Sequence, residues 1–414
     1  GLEKAFKIID RERKWITDLL ADMVRIPTVS PSGEKYEEFA TMLAEKLASR
    51  GLEPIVHRVP QSYVDDKCPP EAKGNPRYIV MIRLGKGSRT LHFNGHYDVV
   101  PGGPGWSVAE PFKPLVRDGR MYGRGTTDMK GGLASMVAAM LALAEVEEDL
   151  GMRVEAVFVP DEEIGGKCGT GYIVERMGLK PDYVVIAEPS SINRIWIGHK
   201  GAVRAEIIVK GKTAHSSTPW LGVNAFKHMV YVAKEFFEEL VPRVESRRSR
   251  YRFDEPGGER ATMMLGGVVR GGGKINQVPG EASFTIDRRV IPEEKAEDAW
   301  REIVGFIDKL RAKGYDVEAK LLGISDAVVT DPDNLLVKAM REAVREVVGI
   351  EPITTVCIGG LDLRYYVTAG STGISYGPGV PNTAHAPNEN IVLEDVFTVA
   401  KTYVLLPWKL SNAE

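Results

Sequence analysis

Thr90-Leu91-His92-Phe93-Asn94-Gly95-His96-Tyr97-Asp98 is the stretch on which the fold turns. A run of strand length, Thr90–Phe93, ends directly in imidazole and carboxylate groups. Similar short apolar runs occur at Tyr78–Ile82, Val154–Val159 and Tyr183–Ile186, and a helical segment, Gly131–Val146, lies between two of them. Strands alternating with helices predict an α/β fold: a mostly parallel sheet with helices on both faces. Upstream, Trp15, Ile16, Leu19, Leu20 and Met23, then Phe39, Leu43 and Leu47, recur at helical spacing and predict helix through residues 10–50. Pro60 to Pro76 reads as a loop by its breakers.

The pattern changes downstream. Ala202–Val209, Thr262–Val269, Glu281–Val290 and Tyr315–Leu322 read as strands, with helices at Asn224–Leu240 and Glu293–Ala312. That βαββαβ order predicts a small ferredoxin-like α+β domain. Strand and helix signals then resume at Ile353–Ile358, Gly373–Tyr376 and Val392–Leu405, so the small domain is an insertion. The expected division is 1–196 and 323–414 for the larger domain, and 197–322 for the inserted one.

Composition bounds the function. The 414 residues carry 54 Lys and Arg against 57 Asp and Glu, a net charge of -3, which argues against a general nucleic-acid surface. Hydrophobic residues make up 43%, ample for two or three domains. The longest apolar stretch, Leu133 to Ala144, is too short to cross a bilayer. No charged-then-apolar leader opens the chain, and its start at Gly1 implies a removed or replaced residue. Cys68, Cys168 and Cys357 are far apart, odd in number and without a CxxC pair. They predict neither a disulfide framework nor a thiolate zinc site, and favour a reducing, cytoplasmic compartment. Only two glutamines, Gln61 and Gln277, among many charges fits a heat-adapted source.

The chemistry collects where strands end. His96 and Asp98 follow one strand, Asp161-Glu162-Glu163 a second, Glu188 a third and His385 a fourth; Asp128 closes the Gly-rich turn Gly123–Asp128 ahead of a helix. Singly, each has an ordinary explanation: a turn histidine, a solvated acidic cap, an extended residue before Pro189. Together they fall at the carboxyl edge of a parallel sheet, where ligands bind. Imidazole and carboxylate donors without sulfur favour zinc, cobalt or manganese. The basic run Arg247–Arg252 is a short solvated loop in a net acidic chain.

These residues resemble the M20 family of metallopeptidases and amidohydrolases. The matching segments are Asn94–Pro101, Gly123–Gly132, Asp161–Gly166, Ala187–Ser190, Gly211–Ser217 and His385–Asn390, in family order. The resemblance implies two divalent metal ions, zinc foremost, with cobalt or manganese possible. His96 and Glu188 would hold one, Glu163 and His385 the other, with Asp128 bridging. It further implies Asp98 orienting His96, a cis Asp128–Met129 peptide, and Glu162 as general base. His215 would stabilise the oxyanion across a homodimer formed through the inserted lid domain. Asn276, Arg289 and Gly360 match positions that contact substrate, with Leu361 standing where the family has a small hydroxyl residue.

The function so implied is hydrolysis of an amide bond in N-acyl amino acids, of desuccinylase or deacetylase type, through a bridging hydroxide. A dipeptidase or carboxypeptidase of the same family is the alternative, and a catalytically silent amino-acid-binding protein or a two-metal phosphatase is more remote. The partners expected are a small-molecule substrate and a second copy of the chain, with neither nucleic acid nor membrane.

Overall fold

The computed structural model describes residues 1–412. The chain divides into two compact units: one of Gly1–Ile197, Thr330–Thr354 and the residues from Leu361 onward, the other of Gly198–Val329 and Thr355–Gly360. Among the described residues, no helix is long and apolar enough to cross a membrane.

The first unit is built on a mixed sheet in the order Ile55–Arg58, Tyr78–Leu84, Arg153–Val159, Thr90–His96, Tyr183–Ile186, Thr372–Ser375, Arg194–His199. The four strands from Arg153–Val159 to Thr372–Ser375 are parallel, and antiparallel neighbours close both flanks. Thr90–His96 is buried at every position, as a central strand covered on two faces must be. Its period of two sorts the side chains. Phe93 packs its ring at a tilt against Tyr403 of the helix Leu393–Ser411, while a Cβ on Gly95 would strike Leu133 and Met136 of the helix Gly131–Ala144. His92 and Asn94 face the other way, onto Tyr366 of the helix Leu363–Thr368. Helices therefore cover both faces, and His96 leaves the sheet on the His92 side. The helix Gly131–Ala144 is apolar all round and is buried, packed among three other helices, Leu2–Arg11, Arg13–Arg25 and Leu393–Ser411, and the sheet.

The second unit holds a four-stranded antiparallel sheet in the order Thr262–Gly271, Glu281–Val290, Gly201–Lys210, Val317–Ser325. The helices Ala225–Glu235 and Ala296–Ala312 pack on one face, which is the ferredoxin-like arrangement expected. Val203, Ile207 and Val209 alternate inward with Phe284 and Ile286. The opposite face carries ion pairs, Arg204 with Asp287 at 3.4 Å and Arg270 with Glu206 at 2.8 Å.

Several expectations need correction. Helix does not run unbroken through residues 10–50: Pro27 forces Ile26 into extended geometry, ending the helix Arg13–Arg25, and the next begins at Tyr36. The loop Pro60–Pro76 contains a helix, Gln61–Lys67, because Pro60 sits before the first turn, where no N–H is required, and Val64 buries against Ile79 and Met81. The final helix continues to Ser411 through Pro407, held by the buried Leu405, Leu406 and Leu410. Residues 355–360 fall in the second unit, where Thr355 bonds Asp254 and the Cys357 carbonyl accepts from Lys200 N–H. Finally, Cys68 and Cys168 are joined as a disulfide with their Cα atoms 6.5 Å apart, and Cys357 lies outside it as a buried thiol. Their spacing of 100 residues along the chain hid a contact that the sheet creates.

Candidate metal centre

The first unit gathers its polar residues at the carboxyl edge of the parallel strands. His96 is the last residue of its strand, Glu162 and Glu163 open the turn after Arg153–Val159, and Glu188 lies just beyond Tyr183–Ile186. Asp128 precedes the helix Gly131–Ala144, and the Asp128–Met129 peptide is cis. His385, with φ of 61°, arrives on the loop after Thr372–Ser375.

Asp128 splits its carboxylate between the two imidazoles. Its Oδ1 lies 3.0 Å from His96 Nε2 and its Oδ2 lies 3.0 Å from His385 Nε2. Glu188 Oε1 stands 3.1 Å from His96 Nε2, and Glu163 Oε1 stands 3.0 Å from His385 Nε2. Glu162 Oε2 is further back, 3.6 Å from His96 Nε2. On the other side of the His96 ring, Nδ1 meets only acceptors: the Asp98 carbonyl at 2.9 Å and the Asp98 carboxylate at 3.2 Å. Nδ1 therefore carries a ring proton and Nε2 is the nitrogen turned to the cluster. Against the effect of burial, Glu188, Asp98 and Glu162 raise the imidazole well above its ordinary range, so an ion would take the place of the Nε2 proton.

Backbone hydrogen bonds hold the supporting turns. Asp98 also accepts the N–H groups of Glu162 at 3.1 Å and Glu163 at 3.0 Å, so one carboxylate fixes both the histidine and the acidic turn. Glu389 is fully buried and accepts N–H bonds from Gly125, Thr127 and Asp128 besides one from Arg124 at 2.8 Å. Asp161, with φ of 71°, is held by Arg77 Nε at 2.8 Å and by the Tyr36 hydroxyl at 2.8 Å. Behind the sheet edge, Thr170 donates to Asp362 at 2.7 Å, and Asn94 links Thr170 to Tyr366, whose hydroxyl meets His92.

Electrostatics set the protonation of the cluster. Burial, then the negative charge of Asp128, push Glu163 up to about 8. Burial likewise carries Glu188 to about 7, against the pull of His96. Burial and Glu188 raise Glu162 well above the usual carboxylate range. Hydrogen bonds to Asp128 and Glu163 lift His385 to about 10. Burial and neighbouring negative charge thus favour the protonated forms of Glu162, Glu163 and Glu188, while, against burial, hydrogen bonds to His385 and His96 hold Asp128 below the usual carboxylate range. Divalent cations would replace those protons, and the oxygen and imidazole donors fit such ions. Among the described residues three donor groups lie close enough to hold an ion: two in this cluster, His96 with Glu162 and Glu188 and His96 with Asp128 and Glu163, and a third beside it, Asp161 with Cys68 and Cys168, whose sulfurs are joined to each other.

The other predicted residues lie in the second unit. His215 is exposed, its Nδ1 2.7 Å from Ser217 Oγ, and the neighbouring strand-like segment carries Asn276, also exposed. Arg289 stands on the charged face of the sheet, gripped by Asp287 at 3.0 Å, and Gly360 is exposed. In the basic run, Arg247 pairs with Glu302 at 2.6 Å and Arg248 with Glu259 at 3.3 Å.

Sequence reasoning gave no role to Glu389, Arg124, Arg77 or Tyr36, nor to Asp161 beyond the acidic turn. Glu389 stood inside a quoted motif, and its position next to a predicted ligand turn was the available signal. Arg77 had none: in Asn75-Pro76-Arg77-Tyr78 it reads as a surface cation.

The model of peptidase family M20/M25/M40 matches residues 92–409. A succinyl-diaminopimelate desuccinylase of Thioalkalivibrio sulfidiphilus is 28% identical over 398 residues, covering 93% of this chain and 96% of its own. An M20 family metallo-carboxypeptidase from Sulfolobus solfataricus superposes with a TM-score of 0.74 at 22% identity, over 95% of this chain and 98% of that one. A dinuclear metal-binding M20 peptidase of Bacillus subtilis gives 0.68 at 15% identity, over 96% and 98%.

Proposed function

The chain belongs to peptidase family M20/M25/M40 and is a metal-dependent hydrolase, and within that family we propose that it hydrolyses the amide bond of N-acyl amino acids at a two-metal centre. The observation that carries this reading is Asp128, whose two oxygens each sit 3.0 Å from a different histidine Nε2. A carboxylate so divided would suit a bridge, and His96 with Glu188 would hold one ion and Glu163 with His385 the other. Zinc is the ion best matched to this donor set, with cobalt or manganese as substitutes.

When bound, the ions supply Lewis-acid polarisation of the scissile carbonyl and of the attacking water. Glu162, held near the cluster without a hydrogen bond to either histidine, takes the proton of that water and returns it to the leaving amine. Asp98 keeps the His96 proton on Nδ1. Arg124 and Glu389 hold the turn that aims Asp128. In the second unit, His215 serves as an oxyanion donor, Asn276 and Arg289 receive the substrate carboxylate, and Gly360 lies along the substrate backbone. Arg289 is already paired with Asp287, through an Nη2 hydrogen bond at 3.2 Å and an Nε contact at 3.0 Å. This unit acts as lid and homodimer interface, and the location is cytoplasmic; a disulfide is compatible with that in heat-adapted cells.

The test is a panel of N-succinyl and N-acetyl amino acids alongside dipeptides, offered to metal-stripped protein before and after zinc, cobalt or manganese. Turnover of acyl amino acids upon metal addition is the expected result. Turnover of dipeptides alone would replace the deacylase reading with a dipeptidase one.

A further inference from the structure

The turn that carries Glu162 and Glu163 continues through Gly165 and Gly166 to Cys168, and its two sides are held differently. On one side the Gly165 carbonyl accepts bonds from Arg364 at 2.7 Å and from the Tyr365 hydroxyl at 2.5 Å. On the other side the contacts come from the segment after Val59. The Tyr63 hydroxyl donates to the Lys167 carbonyl at 3.1 Å, and Cys68 is bonded to Cys168. Cys68 Sγ also lies 3.4 Å from Oδ2 of Asp161, the residue directly before Glu162. Cys168 is fully buried against Val159 and Ile173, whereas Cys68 is partly exposed at the end of the helix Gln61–Lys67.

We propose that the Cys68–Cys168 disulfide is a thiol-responsive clasp on this turn: closed, it fixes Glu162 and Glu163 in place, and opened, it loosens their hold on metal. The roles of Glu162 and Glu163 rest on the function proposed above. Opening needs a dithiol. One of its thiolates attacks the sulfur of Cys68, the less buried of the two residues, the Cys68–Cys168 bond breaks, and Cys168 leaves as a thiolate that takes up a proton. The second dithiol sulfur then attacks the mixed disulfide and releases Cys68, which takes up the other proton, while the reagent closes to its cyclic disulfide. The freed Cys68 thiol can donate to Asp161 Oδ2, the oxygen that Arg77 Nε binds at 2.8 Å, and so competes for the group that anchors the turn.

The experiment uses the metal-loaded chain, oxidised or treated with dithiothreitol. Alkylation under denaturing conditions should find one free thiol before reduction, Cys357, and three after. Amide exchange of residues 161–169 and metal loss to a chelator should both accelerate on reduction, by on the order of tenfold. Cys68→Ser should behave as the reduced protein and ignore the dithiol, Cys357→Ser should respond like the parent, and reoxidation by a small disulfide should restore slow exchange. Three free thiols in the oxidised protein, or equal exchange of the turn in both forms, would overturn the clasp. A chain that takes up no metal contradicts the proposed function alone, since thiol count and exchange of the turn still decide the clasp.

Discussion

Glu162 and Glu163 are chemically identical neighbours, and position alone gives them different surroundings. Both backbone N–H groups are tied to Asp98, yet Glu163 reaches His385 at 3.0 Å while Glu162 stops 3.6 Å from His96. Glu162→Gln should therefore lower kcat by about 10²–10⁴-fold, the usual contribution of a general base, with metal content by elemental analysis unchanged. Glu163→Gln should instead lose metal. Arg77 offers a second residue-level test, since its guanidinium and the Asp161 carboxylate are both fully buried. Arg77→Met should cost about 3–5 kcal/mol in denaturant unfolding, because it leaves a buried carboxylate unpaired. The pH sense follows from Asp161, which burial pushes up to about 6 even with Arg77 beside it. Its folded value lies above its unfolded one, so the native state holds the proton longer and stability falls as pH rises from about 4 through about 6. Without Arg77 the window extends upward, and the variant should lose more stability at pH 8 than at pH 5. The ligand-type residues were legible because acidic and imidazole groups directly after apolar strands are out of place. Arg77 was not, because only burial distinguishes it from a surface cation.

At the scale of elements, the start of the helix Gly131–Ala144 is where packing and chemistry meet. A Cβ on Gly132 would collide with the Ala187 carbonyl, and Ala187 precedes Glu188. Gly132→Ala must push the helix and that strand end apart, at a cost of about 1–3 kcal/mol. Weaker metal retention should accompany the lower unfolding midpoint; a stable variant with unchanged metal affinity would show that the two elements are not coupled. The parallel strands could be read from sequence because strands covered on both faces are short and apolar throughout. The helix Gln61–Lys67 could not, because Pro60, Pro69 and Pro70 bracket it with breakers that look like a loop.

At the scale of the molecule, the insertion was visible as a change of pattern, from strands alternating with helices to a βαββαβ order. Its edges were not, because residues 355–360 join the second unit by tertiary contact rather than by sequence. The disulfide was equally hidden. Closing a loop over 100 residues restricts the unfolded chain by up to about 4.7 kcal/mol in the chain-entropy account, so reduction should lower the thermal midpoint. Metal acts on the same equilibrium, since ions bound only to the folded chain stabilise it by mass action, and chelation should lower the midpoint further. The most direct measurement is a titration of the stripped protein with zinc, following bound metal per chain and hydrolysis of an N-acyl amino acid together. Two equivalents bound, with hydrolysis appearing as the sites fill and absent in Glu162→Gln, is the predicted result. Full hydrolysis without added metal, or a single equivalent giving full activity, would contradict the two-metal centre.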